Sequence, residues 1–208
     1  MFSLIGLVMQ SNNLNTDTKH FPNHRGICFQ AVYQEIYTRN LPNGTSISKM
    51  QKGVICRDSY GRERKEFTQT ENGMIETIAY LYDPVNGLEY LLETNTKNII
   101  FETLVPQYGF RARTWNLGNS AIAISLALPS YQSHFGTKEI EGLVCTGYYV
   151  NQPNKCKIEY WYSSDLGEIM LAKIDSDSEQ IIWRLSKIKL EEPDTKLFTV
   201  PTDYHYAQ

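Results

Sequence analysis

The segment "CRDSYGRERKEF", residues 56–67, concentrates charged side chains that could bind or activate a ligand. If a strand begins at Arg62, then Arg62, Arg64 and Glu66 lie on one face, because strand side chains alternate between the two faces. Two neighbouring guanidinium groups could bind a carboxylate or a phosphate through paired hydrogen bonds. The favoured interpretation is a structural clasp, since ion pairs are common on strand surfaces. The residues of this clasp or anion site are Arg57, Asp58, Arg62, Arg64 and Glu66.

The four histidines do not form a recognisable catalytic or metal-binding group. His20 and His24 have the spacing of two metal ligands on a helix, but Pro22 between them argues against that helix. His134 and His205 lack a neighbouring nucleophile with its base. The sequence therefore predicts a protein that is not an enzyme, with no metal site and no cofactor.

The cysteines leave two interpretations open. None forms a C-x-x-C pair, and none lies near a histidine at metal-ligand spacing, which argues against zinc. They could form two disulfides in an oxidising compartment, or they could be small buried hydrophobic side chains. The hairpin predicted for residues 26–40 and 45–58 places Cys28 and Cys56 on neighbouring strands. The four residues are Cys28, Cys56, Cys145 and Cys156.

Length and composition indicate one folded domain. The chain has 208 residues, of which 41% are hydrophobic and 21% charged, with a net charge of −3. These values are ordinary for globular proteins and leave no basic surface large enough to bind a phosphate backbone. Nucleic acid is therefore excluded as a predicted partner.

Turn signals indicate a mainly β protein. Asn43-Gly44 separates two long segments with partial alternation, residues 26–40 and 45–58, which we interpret as a hairpin. Further turn residues recur about every 8–12 positions, a spacing that suits an antiparallel meander and is too short for helical crossovers. Aromatic residues are frequent, as expected for half-buried strands.

Three segments differ from this pattern. Residues 1–25 are interpreted as a flexible leader whose apolar start could be the remnant of a signal peptide, and which is too short to span a membrane. Residues 26–208 form the single β domain, and within it residues 105–135 are expected to be a short excursion that covers the sheet. The proline-rich tail, 192–206, is expected to run along a sheet edge.

Several blocks together resemble a family of uncharacterised exported proteins that is abundant in acidobacteria. The blocks are "RDSYGRERKE" (57–66), "YDPVNGLEYLL" (82–92), "IEG" (140–142), "EYWYSSDL" (159–166) and "EPDTKLFTVPTDY" (192–204). That family is distantly similar to the half-barrel superfamily of outer-membrane lipoprotein carriers. The resemblance implies a single curved antiparallel sheet, an open half-barrel with an apolar concave face, and export to the periplasm or the cell exterior. It implies no catalytic residues.

Two functions follow as expectations. The first is a binding or carrier protein that holds a lipid or an apolar peptide on the concave face. The second is a structural or assembly protein of the envelope, which self-associates into a homo-oligomer through strand edges and the tail. A hydrolase ranks far behind both, because the scattered histidines offer no base beside a nucleophile.

Overall fold

Twelve strands form one open, curved sheet in the computed structural model, which describes residues 27–71, 74–104, 132–151 and 157–207. The predicted fold class is thereby confirmed. The strands of the described residues are β1 Phe29–Asn40, β2 Ser46–Arg57, β3 Glu63–Glu71, β4 Met74–Asp83, β5 Leu88–Glu93, β6 Asn98–Leu104, β7 Gln132–Ile140, β8 Leu143–Asn151, β9 Lys157–Ser163, β10 Glu168–Asp175, β11 Glu179–Lys189 and β12 His205–Tyr206.

The strand order shows two meanders joined side by side. The order across the sheet is β12-β6-β5-β4-β3-β2-β1-β11-β10-β9-β8-β7, so β1 pairs with both β2 and β11. Neighbouring strands are antiparallel except for β12, which lies parallel to β6. Strand β7 begins at Gln132, so the last four residues of the expected excursion are strand. The other residues of that segment, 105–131, lie outside the described part of the chain.

Turns form where the sequence places residues that tolerate positive φ. Gly44, at φ 81°, ends the β1–β2 turn, and its amide donates to the carbonyl of Leu41 at 3.0 Å. Gly61, at φ 80°, does the same in the β2–β3 turn, where its amide donates to the carbonyl of Asp58. Both conformations favour glycine over residues with a Cβ.

Alternation along the strands gives the sheet two distinct faces. We call the first the Tyr33 face, because Tyr33, Leu185 and Trp183 lie on it together with the larger hydrophobic core. On β11 the sequence alternates Ile181, Trp183 and Leu185 with Arg184, which predicts two faces; the first three are almost fully buried and Arg184 is exposed. The buried members of that core include Phe29, Ala31, Tyr33, Ile55, Ile158, Tyr160, Ala172, Ile174, Ile181, Trp183 and Leu185.

The opposite side, which we call the Cys56 face, carries two smaller clusters and the C-terminal tail. Phe198 ends a short 3₁₀-helix, Thr195–Phe198, and packs on Cys56 and Leu81. The tail then reaches the β6 edge, where His205–Tyr206 adds β12. The prediction that the tail runs along a sheet edge is confirmed for His205–Tyr206, whereas Thr195–Phe198 packs on the face of the sheet.

In the described part of the chain, no helix has the length and apolar character needed to cross a membrane.

Candidate functional site

Arg57, in the charged segment found in the sequence, is almost fully buried, with 1% of its surface exposed. Its Nη1 donates to Glu168 Oε1 at 3.0 Å, its Nη2 donates to the carbonyl of Leu166, and its Nε donates to the carbonyl of Ile27 at 3.1 Å. The guanidinium carbon also lies 5.0 Å from the centre of the Phe29 ring. These contacts bind the guanidinium to the protein itself.

Asp58 organises the β2–β3 turn. Its Oδ1 accepts hydrogen bonds from the amides of Tyr60 at 3.0 Å and Arg62 at 2.9 Å, while its Oδ2 accepts from Arg62 Nε at 2.6 Å. The Arg62 guanidinium also lies 5.2 Å from the Phe198 ring of the tail. A buried carboxylate that accepts several backbone amides is the usual local stabilisation of such a turn.

Arg64 and Glu66 lie on the Cys56 face of β3. Arg64 Nη2 contacts Glu66 Oε2 at 2.6 Å, and Arg64 Nη1 donates to the carbonyl of Leu197 at 3.4 Å. Arg57, Arg62 and Arg64 therefore each contact an acid of the same chain. The clasp is therefore the favoured interpretation, and the choice between a clasp and an anion site stays a prediction.

A second charged group, which the sequence analysis missed, lies on the Tyr33 face. We call it the Lys65 cluster, and it consists of Tyr33, Glu35, Lys65 and Trp183. The Lys65 Nζ lies 4.5 Å from the centre of the Tyr33 ring and 4.8 Å from that of Trp183, and these two rings stack at 4.8 Å. The ammonium is therefore held by cation–π contacts on adjoining aromatic rings.

Gly53 makes this cluster possible. It lies on β2 opposite Tyr33 of β1 and Phe67 of β3. A Cβ at this position would lie 2.6 Å from Tyr33 Cε1 and 2.1 Å from the carbonyl oxygen of Glu66. The missing side chain lets the Tyr33 ring lie over β2 and reach the ammonium of Lys65.

Burial perturbs the titrating members of the Lys65 cluster. Burial lowers the pKa of Lys65 to about 8, although the nearby Glu35 carboxylate opposes that shift. Burial raises the pKa of Glu35, which is 2% exposed, and also that of the Tyr33 hydroxyl. Among the described residues, Glu35 Oε2 and the Tyr33 hydroxyl have no hydrogen-bond partner. Such buried polar atoms are rare in folded proteins and point to a functional role.

The signal for this cluster was present in the sequence. In "AVYQEIY", Glu35 follows the core positions Ala31 and Tyr33 at intervals of two, so it must share their face. Lys65 alternates in the same way with Phe67. A charged residue at a strand position where alternation predicts an apolar side chain is the pattern that could have identified both residues.

The cysteines that the structure describes carry free thiols, namely Cys28, Cys56 and Cys145. Cys56 pairs in register with Gln30, two residues from Cys28, so these two cysteines are diagonal neighbours on one side of the sheet. Cys156 lies outside the described residues, and so do His20 and His24. Disulfide formation stays a prediction. Within the described ranges, no group of three or more His, Cys, Asp or Glu side chains is placed to hold a metal ion.

A shallow groove of about 300 Å³ lies beside Gly53 on the Cys56 face. Val54, which is 52% exposed, lies on its wall, and Glu66 brings one carboxylate to it. The lining residues are Val32, Lys52, Gly53, Val54, Glu66, Phe67 and Thr68.

Comparison with solved structures finds this fold in an uncharacterised conserved protein from Thermus thermophilus, with a TM-score of 0.50 at 8% identity over 89% of this chain and 91% of that one. Weaker matches include the Pseudomonas aeruginosa MucA/MucB complex, with a TM-score of 0.46 at 13% identity over 89% of this chain and 59% of the matched one. Another is a LolA superfamily protein from Nitrosomonas europaea, with a TM-score of 0.38 at 10% identity over 85% and 91%.

The similarity to the Thermus thermophilus protein shows the fold alone, because the two sequences are only 8% identical. The neighbours at very low identity include LolA superfamily and outer-membrane lipoprotein-sorting proteins. No protein-family model and no curated protein matches the chain. Any function must therefore be argued from the chain's own residues.

Proposed function

We propose that this chain is a non-enzymatic, exported binding or carrier protein that holds a lipid or an apolar peptide against the Tyr33 face. The observation that carries this proposal is the border of partly buried apolar side chains around the core on that face. Those on the border include Tyr37, Phe67, Tyr148, Val150, Tyr162 and Ile188. Large apolar groups that keep some exposure beside a buried core are typical of ligand-binding surfaces.

The aromatic rings on this face are arranged in stacked pairs. Tyr148 stacks on Tyr160 at 5.1 Å, and Tyr33 stacks on Trp183 at 4.8 Å. Both pairs lie on neighbouring strands, where register places the partners opposite or beside one another. Tyr148 is the partly buried member of these pairs, so its ring can contact an apolar chain without needing a directional hydrogen bond. Export to the periplasm or the cell exterior is part of the same proposal.

The charged segment takes a structural role in this proposal. Arg57, Arg62 and Arg64 are bound to acids of the chain, so the clasp fixes the β2–β3 turn and the tail. No step of catalysis is assigned to it. The protein then acts through the shape and polarity of one sheet face.

The test is titration with a neutral apolar dye, N-phenyl-1-naphthylamine, whose fluorescence rises when it leaves water. Saturable binding is expected. Tyr148→Ser should weaken it, whereas Tyr149→Ser should leave it unchanged, because Tyr149 is the next residue along β8 and lies on the opposite face. Wild-type protein that shows no saturable binding would overturn the proposal.

Self-association is a second candidate, and β7 favours it. Among the described strands, this nine-residue strand ends the sheet order, whereas the other end is covered by the two residues of β12. An edge strand can pair with another chain through its free backbone groups. Light scattering over a range of concentrations would show oligomers if β7 pairs in this way, and a monomer at every concentration would contradict it.

A further inference from the structure

Lys65 presents its ammonium to aromatic rings, and the acid that acts on its charge is Glu35. No hydrogen bond or ion pair joins this ammonium to the described residues, and it lies over the rings of Tyr33, Trp183 and Phe67. An ammonium enclosed by aromatic rings has lost much of its hydration, and such charges are normally paired. We propose that Lys65 binds the carboxylate of a fatty acid whose chain lies on the Tyr33 face. This inference rests on the proposed function and names its ligand.

The other polar atoms of the cluster suit such a head group. The Tyr33 hydroxyl is fully buried and has no partner among the described residues, so it can donate to a second oxygen of the ligand. Glu35 would repel an anion in its ionised form. Burial raises the pKa of Glu35 and so shifts this carboxyl toward its neutral form, in which its O–H is another donor.

The count of charges favours a carboxylate over a phosphate. The cluster offers one ammonium and one phenolic hydroxyl, which match the two oxygens and single charge of a carboxylate. A phosphate monoester carries a charge of about −2 near pH 7 and needs a second cation. The buried guanidinium of Arg57 is already paired with Glu168 and cannot supply one.

The surroundings of Lys65 suit an acyl chain. Ile55 lies opposite Lys65 on β2 and Tyr80 lies opposite it on β4, while Ile78 is the next residue on that side of β4. Ile55 and Ile78 are 5% and 8% exposed. An acyl chain that leaves the ammonium along this face meets aliphatic and aromatic groups on both sides. Removal of the acyl chain from water drives its binding.

The experiment compares cis-parinaric acid with its methyl ester, two fluorescent probes of the same chain that differ in head-group charge. Wild-type protein should bind the acid about tenfold more tightly than the ester, since one charge-assisted hydrogen bond distinguishes them. Lys65→Met should abolish that difference while keeping the ester affinity. Glu35→Gln should keep the preference for the acid, because glutamine is neutral and also offers a hydrogen-bond donor at this position.

Lys52→Met is the matched control, because Lys52 lies on the opposite face of neighbouring strand β2 and is exposed; it should bind both probes as wild type does. Dodecyl phosphate that displaces the acid more effectively than dodecanoate would overturn the carboxylate assignment. Equal affinities of wild type for acid and ester would overturn the inference and leave the proposed function standing. Absence of binding by either probe would overturn both. The comparison of acid and ester binding by wild-type protein tests the inference even if a variant does not fold.

Discussion

Arg57 on β2 contacts Glu168 on β10 at 3.0 Å, although β1 and β11 lie between those strands in the sheet order. In a flat sheet, three steps between strands would separate the two backbones by about 14 Å. The two long side chains span this separation and join the two meanders across β1 and β11. The curved sheet is therefore stabilised by a buried ion pair as well as by the hydrophobic core.

Removal of the guanidinium should strongly destabilise the fold. Arg57→Met leaves Glu168 buried without its cation, which costs about 3–5 kcal/mol of the free energy of unfolding. Urea denaturation followed by tryptophan fluorescence measures this loss. The control is Arg39→Met, because the pair of Arg39 with Glu179 is exposed and weak, and its loss should cost less than about 1 kcal/mol. Equal effects of the two substitutions would contradict a structural role for the buried pair.

Gly53 should not tolerate a side chain. Gly53→Ala places a Cβ against the Glu66 carbonyl and the Tyr33 ring, so the strand or the ring must move, at a cost of about 1–3 kcal/mol. Gly147→Ala is the comparison, since its Cβ would meet only the ring of Phe135, which is partly exposed and can turn away. Thermal unfolding of both variants tests this. A Gly53→Ala protein as stable as Gly147→Ala would show that Tyr33 does not depend on that space.

The tail should detach when its anchor is truncated. Phe198→Ala removes a ring that is 1% exposed and packs on Cys56 and Leu81, which costs about 3–5 kcal/mol in the contacts of that cluster. Limited proteolysis should then cut within residues 190–204 faster than in wild type. Leu197→Ala changes a neighbour that is 36% exposed and should leave the cleavage rate nearly unchanged. Similar rates for all three proteins would argue against Phe198 as the anchor.

Lys65 should make stability increase with pH in the alkaline range. Burial lowers the pKa of Lys65 to about 8 in the folded protein, from an ordinary value of 10.5. Between these values the unfolded chain keeps a proton that the folded chain has released, so the contribution of Lys65 to the free energy of unfolding rises with pH. Below pH 8 both states are charged, and the buried charge destabilises the fold by a constant amount.

The measurement is the difference in unfolding free energy between wild type and Lys65→Met from pH 8 upward. Cys56, whose pKa burial raises to about 11, and the buried tyrosines act in the opposite direction at higher pH. They are present in both proteins, so the difference removes their effect. The wild-type free energy of unfolding minus that of Lys65→Met should increase with pH. If the two free energies change with pH in parallel, Lys65 does not have a perturbed pKa.

Local chemistry made much of the fold predictable. The Asn43-Gly44 turn and the alternation of Ile181, Trp183 and Leu185 identified strands and their buried faces, because each depends on a few neighbouring residues. The pairing of β1 with β11 could not be predicted in this way, since periodicity shows which face is buried but not which strand lies beside it. The sequence pattern did not identify β7, because a bulge at His134 and Gly136 interrupts the alternation of its side chains.

The candidate site was only partly predictable. The clasp residues could be found because Arg62 and Asp58 lie four positions apart in one turn, where contact follows from local geometry. The Lys65 cluster joins β1, β3 and β11, so its assembly depends on the register of three strands. Lys65 also lies among other charges in the sequence, which disguises its position on the apolar side.

The pairing of β1 with β11 has a consequence for how the chain folds. Tyr33 pairs with Leu185, which is far along the sequence, so the contacts between β1 and β11 are highly non-local. Such topologies fold slowly, because a long loop must close before the contacts that stabilise it can form. During synthesis on a ribosome, the first hairpin would keep one side unpaired until β11 had emerged.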